Sequence, residues 1–443
     1  MLPPEVEISK RLGISRATVR LAIMDLVREG QLDRVPGKGT FIRKGSTRLI
    51  FSNWLSVEEM FRPMLESMIE QFVASNRGID IENLGVQYEN TEHQLMLMTG
   101  AGKAPDIAAL IYLWIPIFAH QGALLPLDSL YTPQIRSKIY PQSAAAVSFR
   151  DQPYAFSWGN APLILYANRR HVSDHLHADR LTPENYDELA EWLVLLQERS
   201  GGAVIPYSIP FQDDEMSFLY SIYTFLIAFG GGVITEDNEV ILGCGENVRA
   251  FAWLRKLITR GCVDISRSHL ENRRLFAEDR LGFLIEGPWL GNILPALNPA
   301  RGQGDRHLQF SVLPRGPLGT CPSIMWNHTL AVFRQCRNVE GALAFIRFLT
   351  QDPSVAERYY RHTGMIPALV DQAESNPVYD DELGRVVRKQ MSSALPIPFS
   401  NSPYFMTSVT FCAKASREIL LAGADIPQTL STYAGLLEEL FKK

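Results

Sequence analysis

Apolar residues recur at helical spacing twice within the first thirty positions. Ile8 and Leu12 lie one turn apart, and Val19, Ile23, Leu26 and Val27 form a second stripe. The pattern predicts a short helix from Glu5 to Leu12 and a longer one from about Arg16 to Glu29. Gly13 permits the positive φ of a tight turn between them, Ser15 is placed to cap the second helix, and Gly30 stops it. Two short runs, Gln31–Arg34 and Thr40–Arg43, then flank Pro36-Gly37-Lys38-Gly39 and predict a β-ribbon with a glycine-rich tip.

After this the pattern changes. Leu49-Ile50-Phe51, Ile79-Asp80-Ile81 and Pro105–Leu110 read as strands. Between them, helical periodicity runs through Met60, Phe61, Met64, Leu65, Met68, Ile69 and Phe72, and again over Glu92–Gly100. Such alternation predicts a mainly parallel α/β sheet. Residues 44–48, with Arg43 before them, hold no apolar side chain and read as a linker. The remaining stretch, 49–443, is too long for one core and predicts two lobes.

Composition sharpens this division. Apolar residues make up 46% and charged residues 21% of the 443-residue chain, which excludes a disordered or low-complexity protein. The net charge of −5 conceals an asymmetry. Residues 1–48 carry ten basic and five acidic side chains, against 33 and 43 in the rest. A basic head on an acidic body is a domain boundary with different partners on each side. The five cysteines show no CxxC spacing, so a disulfide framework or structural zinc is not expected and a reduced cytoplasm fits. The N-terminus lacks a secretory signal pattern, and the longest apolar runs, around 107–119 and 218–234, fall short of the ~18 clean apolar residues of a spanning helix.

Two helices joined by a glycine turn, with polar and cationic residues early in the second, describe a helix-turn-helix. Ser15, Arg16, Thr18 and Arg20 are the candidates to reach base edges, with Lys38 and Gly39 at the ribbon tip to meet phosphates or a minor groove. The combination resembles the GntR family of bacterial winged-helix repressors. The residues that carry it are Leu2–Ile8, Gly13-Ile14-Ser15-Arg16-Ala17-Thr18-Val19-Arg20 and Gly37-Lys38-Gly39-Thr40-Phe41-Ile42. The resemblance implies a winged helix-turn-helix DNA-binding domain over 1–43. There are two departures. The family's first helix precedes the Leu-Pro block and is not expected in this sequence, and Val6 stands where the family usually has a DNA-touching arginine.

The body resembles the extracellular solute-binding proteins of bacterial sugar importers, the group of maltose-binding protein. The ordered blocks are Asn53-Trp54, Gly102–Ile107, Gly122–Asp128, Pro153-Tyr154-Ala155, Leu165–Asn168, Thr182–Leu189, Glu286-Gly287-Pro288-Trp289 and Val312–Pro317. Met325-Trp326-Asn327 departs from the family's paired glycines. The resemblance implies an α/β, two-lobed, periplasmic-binding-protein-like (type II) body. Lobe one would span about 49–147 and 315–352, and lobe two about 153–312 and 365–443. Crossings are expected near Ala145–Gln152, near Leu313–Pro317 and within Gln351–Pro367. The cleft between the lobes would hold a mono- or oligosaccharide, stacked on aromatic rings and read by polar side chains. The candidates are Asn53, Trp54, Tyr112, Trp114, Tyr154, Trp158, Asn160, Glu286, Trp289, Trp326, Asn327 and Tyr404, with Trp289 foremost. Trp192 and Trp253, mid-helix among apolar neighbours, are read as core.

No catalytic residue, metal or cofactor is expected. His171, His175 and His177 with Asp174 and Asp179 could suggest a metal, but the stretch reads as a solvated loop. No G-x-S-x-G elbow, Walker A loop or H-E-x-x-H is present. An aminotransferase-like body would need a lysine for pyridoxal phosphate, and Lys103, Lys138, Lys256, Lys389 and Lys414 sit in no such setting. The expectation is a cytoplasmic, ligand-responsive transcription regulator, a homodimer on operator DNA and away from membranes. The alternative is the sugar-binding component of an ABC importer.

Overall fold

The structure, a computed structural model, describes residues 2–28, 32–35, 39–42, 47–176, 180–211, 215–216, 218–235, 237–301, 307–402 and 404–442. In the head, helix α1 (Glu5–Leu12) ends on Gly13, whose φ of 67° is the left-handed cap that glycine adopts without strain. Helix α2 spans Arg16–Arg28. The Ser15 hydroxyl accepts the Thr18 amide at 3.1 Å, satisfying a backbone donor that the first turn leaves open. Strands β1 (Leu32–Val35) and β2 (Gly39–Ile42) pair antiparallel as the wing. The Leu2 amide ties the N-terminal segment to this ribbon by donating to the Thr40 carbonyl at 2.7 Å. The buried centre of this unit is Val19, Ile23 and Leu32, with Leu2, Ile8, Leu26 and Val27 packed around it.

The body contains two five-stranded sheets. The first has the strand order 79–85, 47–53, 107–111, 328–332, 155–159. Its first three strands are parallel, while His328–Val332 runs antiparallel to both neighbours. The second has the order 263–267, 205–210, 281–286, 164–168, 308–311. Strands 107–111 and 155–159 are buried at every position, as sheets covered by helices on both faces require. Helices Arg62–Ser75, Val339–Gln351 and Pro353–Thr363 cover the first sheet. The C-terminal pair Phe405–Leu420 and Ile426–Phe441 packs on Gly245–Thr259 in the second lobe.

The boundaries differ from the expected ones in three places. Thr47 and Arg48 belong to the first strand, not to a linker, because they pair with Ile79 and Asp80, and Arg48 lies 3.3 Å from Glu82. The first crossing falls at Asn160–Leu163, not at Ala145–Gln152, because Ala155–Gly159 pairs with His328–Val332 and completes the first sheet. The second falls at Met325–Asn327. Residues 313–317 still lie on the second lobe, where Arg315 donates its amide to the Glu184 carbonyl and accepts that of Tyr186. The third follows Thr363. There Gly364 (φ 71°) closes the helix so near the second lobe that a β-carbon would lie 2.6 Å from the Pro288 carbonyl oxygen.

The three crossings are stitched together by two asparagines. Asn160 exchanges backbone hydrogen bonds with Ile366, and its side-chain amide donates to the Pro367 carbonyl at 3.1 Å. Its Oδ1 accepts from Ser143 at 2.6 Å, from Ser157 at 3.2 Å and from the Asn327 amide at 2.8 Å. The Asn327 Oδ1 accepts the Ala161 amide at 3.1 Å. Both asparagines have no exposed surface. Among the described residues no helix is long and apolar enough to cross a membrane.

Candidate functional site

Where the lobes meet, aromatic rings from both sides form one continuous run. The loop following the first strand supplies Trp54, whose ring lies 5.4 Å from Tyr88, 6.5 Å from Trp114 and 4.9 Å from His328, each edge-on. Trp326, on the second crossing, donates its indole N–H to the Tyr88 hydroxyl at 2.8 Å. Across the seam, Tyr220 of the second lobe lies 4.1 Å from Trp326, 6.4 Å from Trp289 and 5.0 Å from His269. The two lobes therefore meet along these rings at the crossing. Rings of this kind offer apolar faces with polar edges.

Charge in the seam is organised around Glu286, at the end of strand Leu281–Glu286. Arg273, on helix His269–Ala277, donates through Nε to Glu286 Oε2 at 3.0 Å, and His269 lies 3.6 Å from the same oxygen. The other oxygen accepts the Gly287 amide at 3.0 Å and the Trp289 indole N–H at 3.1 Å. Burial alone would raise this carboxyl, but the Arg273 charge and His269 outweigh it and hold the group well below the ordinary carboxylate range. Glu286 thus stays ionised with both oxygens engaged. The Trp289 ring lies flat over its own loop, where a β-carbon on Gly287 would sit 2.3 Å from it. On the opposite lobe, burial pushes Glu58 up to about 7 against the pull of Arg273, with Glu89 adding to the rise. Behind Trp54, His328 is pushed down to about 3 by burial and is neutral, sharing a 2.5 Å hydrogen bond with the Tyr359 hydroxyl.

The expected cleft residues separate into groups. Trp54, Trp114, Trp326, Trp289 and Glu286 come together at the seam. Asn160 and Asn327 do not face it as ligand contacts, since their amides are consumed by the knot between the crossings. Asn53 is spent on the neighbouring strand and its own loop, donating to Asn83 Oδ1 at 2.7 Å and accepting the Ser56 amide at 2.9 Å. Tyr112 is buried, its hydroxyl accepting the Ile397 amide at 3.1 Å. Trp158 stacks on Tyr359 at 4.4 Å within the first lobe. Tyr154 packs near Phe149, and Tyr404 against Phe441, both apart from the run of rings. Tyr88, Tyr220, Glu58, His269 and Arg273 were absent from the expected set. No motif marks them. The only hint is that Tyr220 interrupts an apolar stretch.

His171 stacks on His175 at 5.9 Å and contacts the Asp279 carbonyl through Nε2 at 2.7 Å; His177 and Asp179 lie outside the described residues. In the head, Ser15, Arg16, Thr18 and Arg20 all lie on the exposed start of α2. Ser15 and Thr18 share a 2.8 Å hydroxyl contact. The Arg20 guanidinium is held by Glu5 at 3.0 Å, joining α2 to α1. Gly39 opens β2 with a φ of 113°, while Lys38 lies outside the described residues.

A helix-turn-helix with a wing, ahead of two α/β lobes joined by three crossings, defines a solute-binding fold carrying a DNA-reading head. The body matches the family of bacterial extracellular solute-binding proteins over residues 67–384, and the head matches the bacterial regulatory proteins of the gntR family over residues 1–42. The chain belongs to the solute-binding protein family, with a gntR-family winged helix at its N-terminus. It is 21% identical over 345 residues to the maltotriose-binding protein of Pyrococcus abyssi, covering 76% of this chain and 70% of that protein. Its head is 54% identical over 43 residues to the HTH-type transcriptional repressor NagR of Bacillus subtilis, 10% of this chain and 18% of the repressor. The fold is shared with a solute-binding protein of Thermotoga lettingae crystallised with α-D-tagatose. The TM-score there is 0.78 at 20% identity, over 89% of this chain and 99% of that one.

Proposed function

We propose that this chain is a ligand-responsive transcription regulator. In this reading the winged helix binds operator DNA and the cleft between the lobes binds a mono- or oligosaccharide effector. The observation that carries it is the run of rings from both lobes, Trp54, Tyr88, Trp114, Trp326, Tyr220 and Trp289, in a chain whose first residues form a winged helix. Ring faces take the C–H faces of a sugar, and a hinged pair of lobes converts occupancy into a change of shape. Closure alters DNA affinity only if the open and closed forms place the heads differently. The reading includes a cytoplasmic homodimer on a two-half-site operator. The importer reading leaves the head without a role.

The test is selection of DNA from a random pool by the full chain, followed by measurement of its affinity with and without saturating saccharide. Affinity that is unchanged at saturation rejects effector control. Failure to select any sequence rejects the regulator.

A further inference from the structure

A cavity of about 240 Å³ lies on the first lobe, away from the seam. It sits between the end of helix Ile115–His120 and the hairpin of Ser148–Phe149 with Gln152–Pro153. Its walls are Ala119, His120, Phe149, Arg150, Gln152 and Tyr154. None of these is acidic, although residues 49–443 carry 43 acidic side chains against 33 basic ones. Three donor groups surround one ring. The Arg150 guanidinium lies over Phe149 at 5.1 Å from its centroid, His120 meets that ring edge-on at 6.2 Å, and Tyr154 lies tilted to it at 6.5 Å. Among the described residues, none of these three side chains makes a hydrogen bond or ion pair. Gln152 is oriented by donating to Asp128 at 2.8 Å, and neither Asp128 nor the turn residue Asp151 lines the cavity.

The turn that presents Arg150 is strained. Arg150 and Asp151 take φ of 51° and 61°, in the left-handed region. Among the described residues four side-chain-bearing residues do so, and the other three are Asp or Asn, which tolerate it. A two-residue hairpin turn with positive φ at both positions normally takes Asn or Gly. Arginine forgoes that ease and sets a cation over the cavity instead. The place in the fold matters as well. Ala155, just past the hairpin, pairs with Ala331, and the neighbouring Val332 pairs with Ile107 at the start of its strand. That is the end of the sheet at which the chain arrives from the head, through Thr47. The rings of the seam follow the other end.

We propose that this cavity is a second ligand site, for a small organic anion held by its phosphate or carboxylate group. The anion's oxygens accept from the Arg150 fork, the His120 ring and the Tyr154 hydroxyl, and its organic part lies against the Tyr154 ring. The volume is below the ~300–1,000 Å³ of drug-sized sites, so the ligand is compact. The site is separate from the seam and does not rest on the saccharide reading.

The experiment is calorimetric titration of the full chain with glycerol 3-phosphate, with lactate and, as the neutral counterpart, with glycerol. At least one of the two anions is expected to bind at a single site, and glycerol is not; the anion that binds names the group that is read. Arg150→Asn is expected to weaken binding about tenfold or more. Asparagine suits the left-handed turn, so the melting temperature without ligand should hold or rise, which separates lost binding from lost folding. His120→Asn and Tyr154→Phe should each weaken binding about threefold or more. Arg136→Gln is the control. Its guanidinium also lies over a ring, 5.5 Å from Tyr131, but lines no part of this cavity, and binding should be unchanged. Binding of neither anion, equal binding of glycerol, or equal affinity in Arg150→Asn overturns the site. So does weaker binding of the selected DNA by Arg150→Asn when no anion binds, which would make the cavity a contact for a DNA phosphate.

Discussion

The head and the body solve the problem of stability in opposite ways. The head closes around Val19, Ile23 and Leu32, α1 has no buried residue, and Leu12, Leu21 and Met24 are exposed. The body has a core that runs unbroken through both sheets and the helices over them. Small units bury a smaller fraction of their surface and are marginal on that account. The difference teaches that the small N-terminal unit has the least burial in reserve, while the body's core stands on its own.

The largest effect expected from this contrast is at Ile23. Placing a carboxylate there, Ile23→Asp, buries an unpaired charge in a core with no reserve. DNA binding should vanish while the body's melting transition stays within a degree of wild type, which scanning calorimetry resolves. Loss of both transitions together would break the contrast. Next comes Asn160→Ala in the body. It strands partners on Ser143, Ser157, Asn327 and Pro367, and should lower body stability by about 2–4 kcal/mol in denaturant titrations. The head's affinity for its selected DNA should be unaffected.

A smaller effect follows from Glu58. Its carboxyl is raised to about 7 where the lobes meet, whereas a solvated glutamate titrates near ~4.3. Closing therefore takes up a proton between those values. The contribution is fully present below the solvated value and is lost as pH rises through about 7. The chain without ligand should be more open at pH 8.5 than at pH 5.5 by small-angle scattering, and Glu58→Leu should flatten the difference. Smallest of all is Glu5→Gln, which releases Arg20 from its tie across the head. It should shift DNA affinity only slightly, with a modest change in its salt dependence.

Much of this molecule was legible from periodicity and punctuation. Gly13, Ser15 and the stripe Val19–Ile23–Val27 specify the head, because local turn chemistry and one apolar face suffice for two helices and a ribbon. The alternation from Leu49 onward exposed an α/β body. The crossings were harder. Ala155–Gly159 and Ile164–Asn168 are equally apolar and buried, so nothing local reveals that they belong to different sheets. Only the distant strand His328–Val332 decides that. Asn160 and Asn327 were read as ligand contacts because asparagine beside tryptophan fits a sugar site equally well. Their full burial between crossings becomes visible only in three dimensions. Arg273 and Tyr220 lie within a helix and an apolar run, where sequence cannot tell a surface cation or a core ring from one that faces a cleft.

The position of His328–Val332 also governs the order in which the chain matures on the ribosome. This strand sits inside the first sheet, flanked by 107–111 and 155–159, yet it is translated only after the whole of 164–311. Until then the nascent first lobe is split, with Ile107–Ile111 presenting an open edge that invites association with other chains. The second lobe completes its strands at Leu308–Ser311, shortly before this strand is made, and still awaits the C-terminal helices that pack on Gly245–Thr259. A messenger cut short before codon 328 would leave the first sheet without its fourth strand and the second lobe without its C-terminal helices, so neither half would be finished.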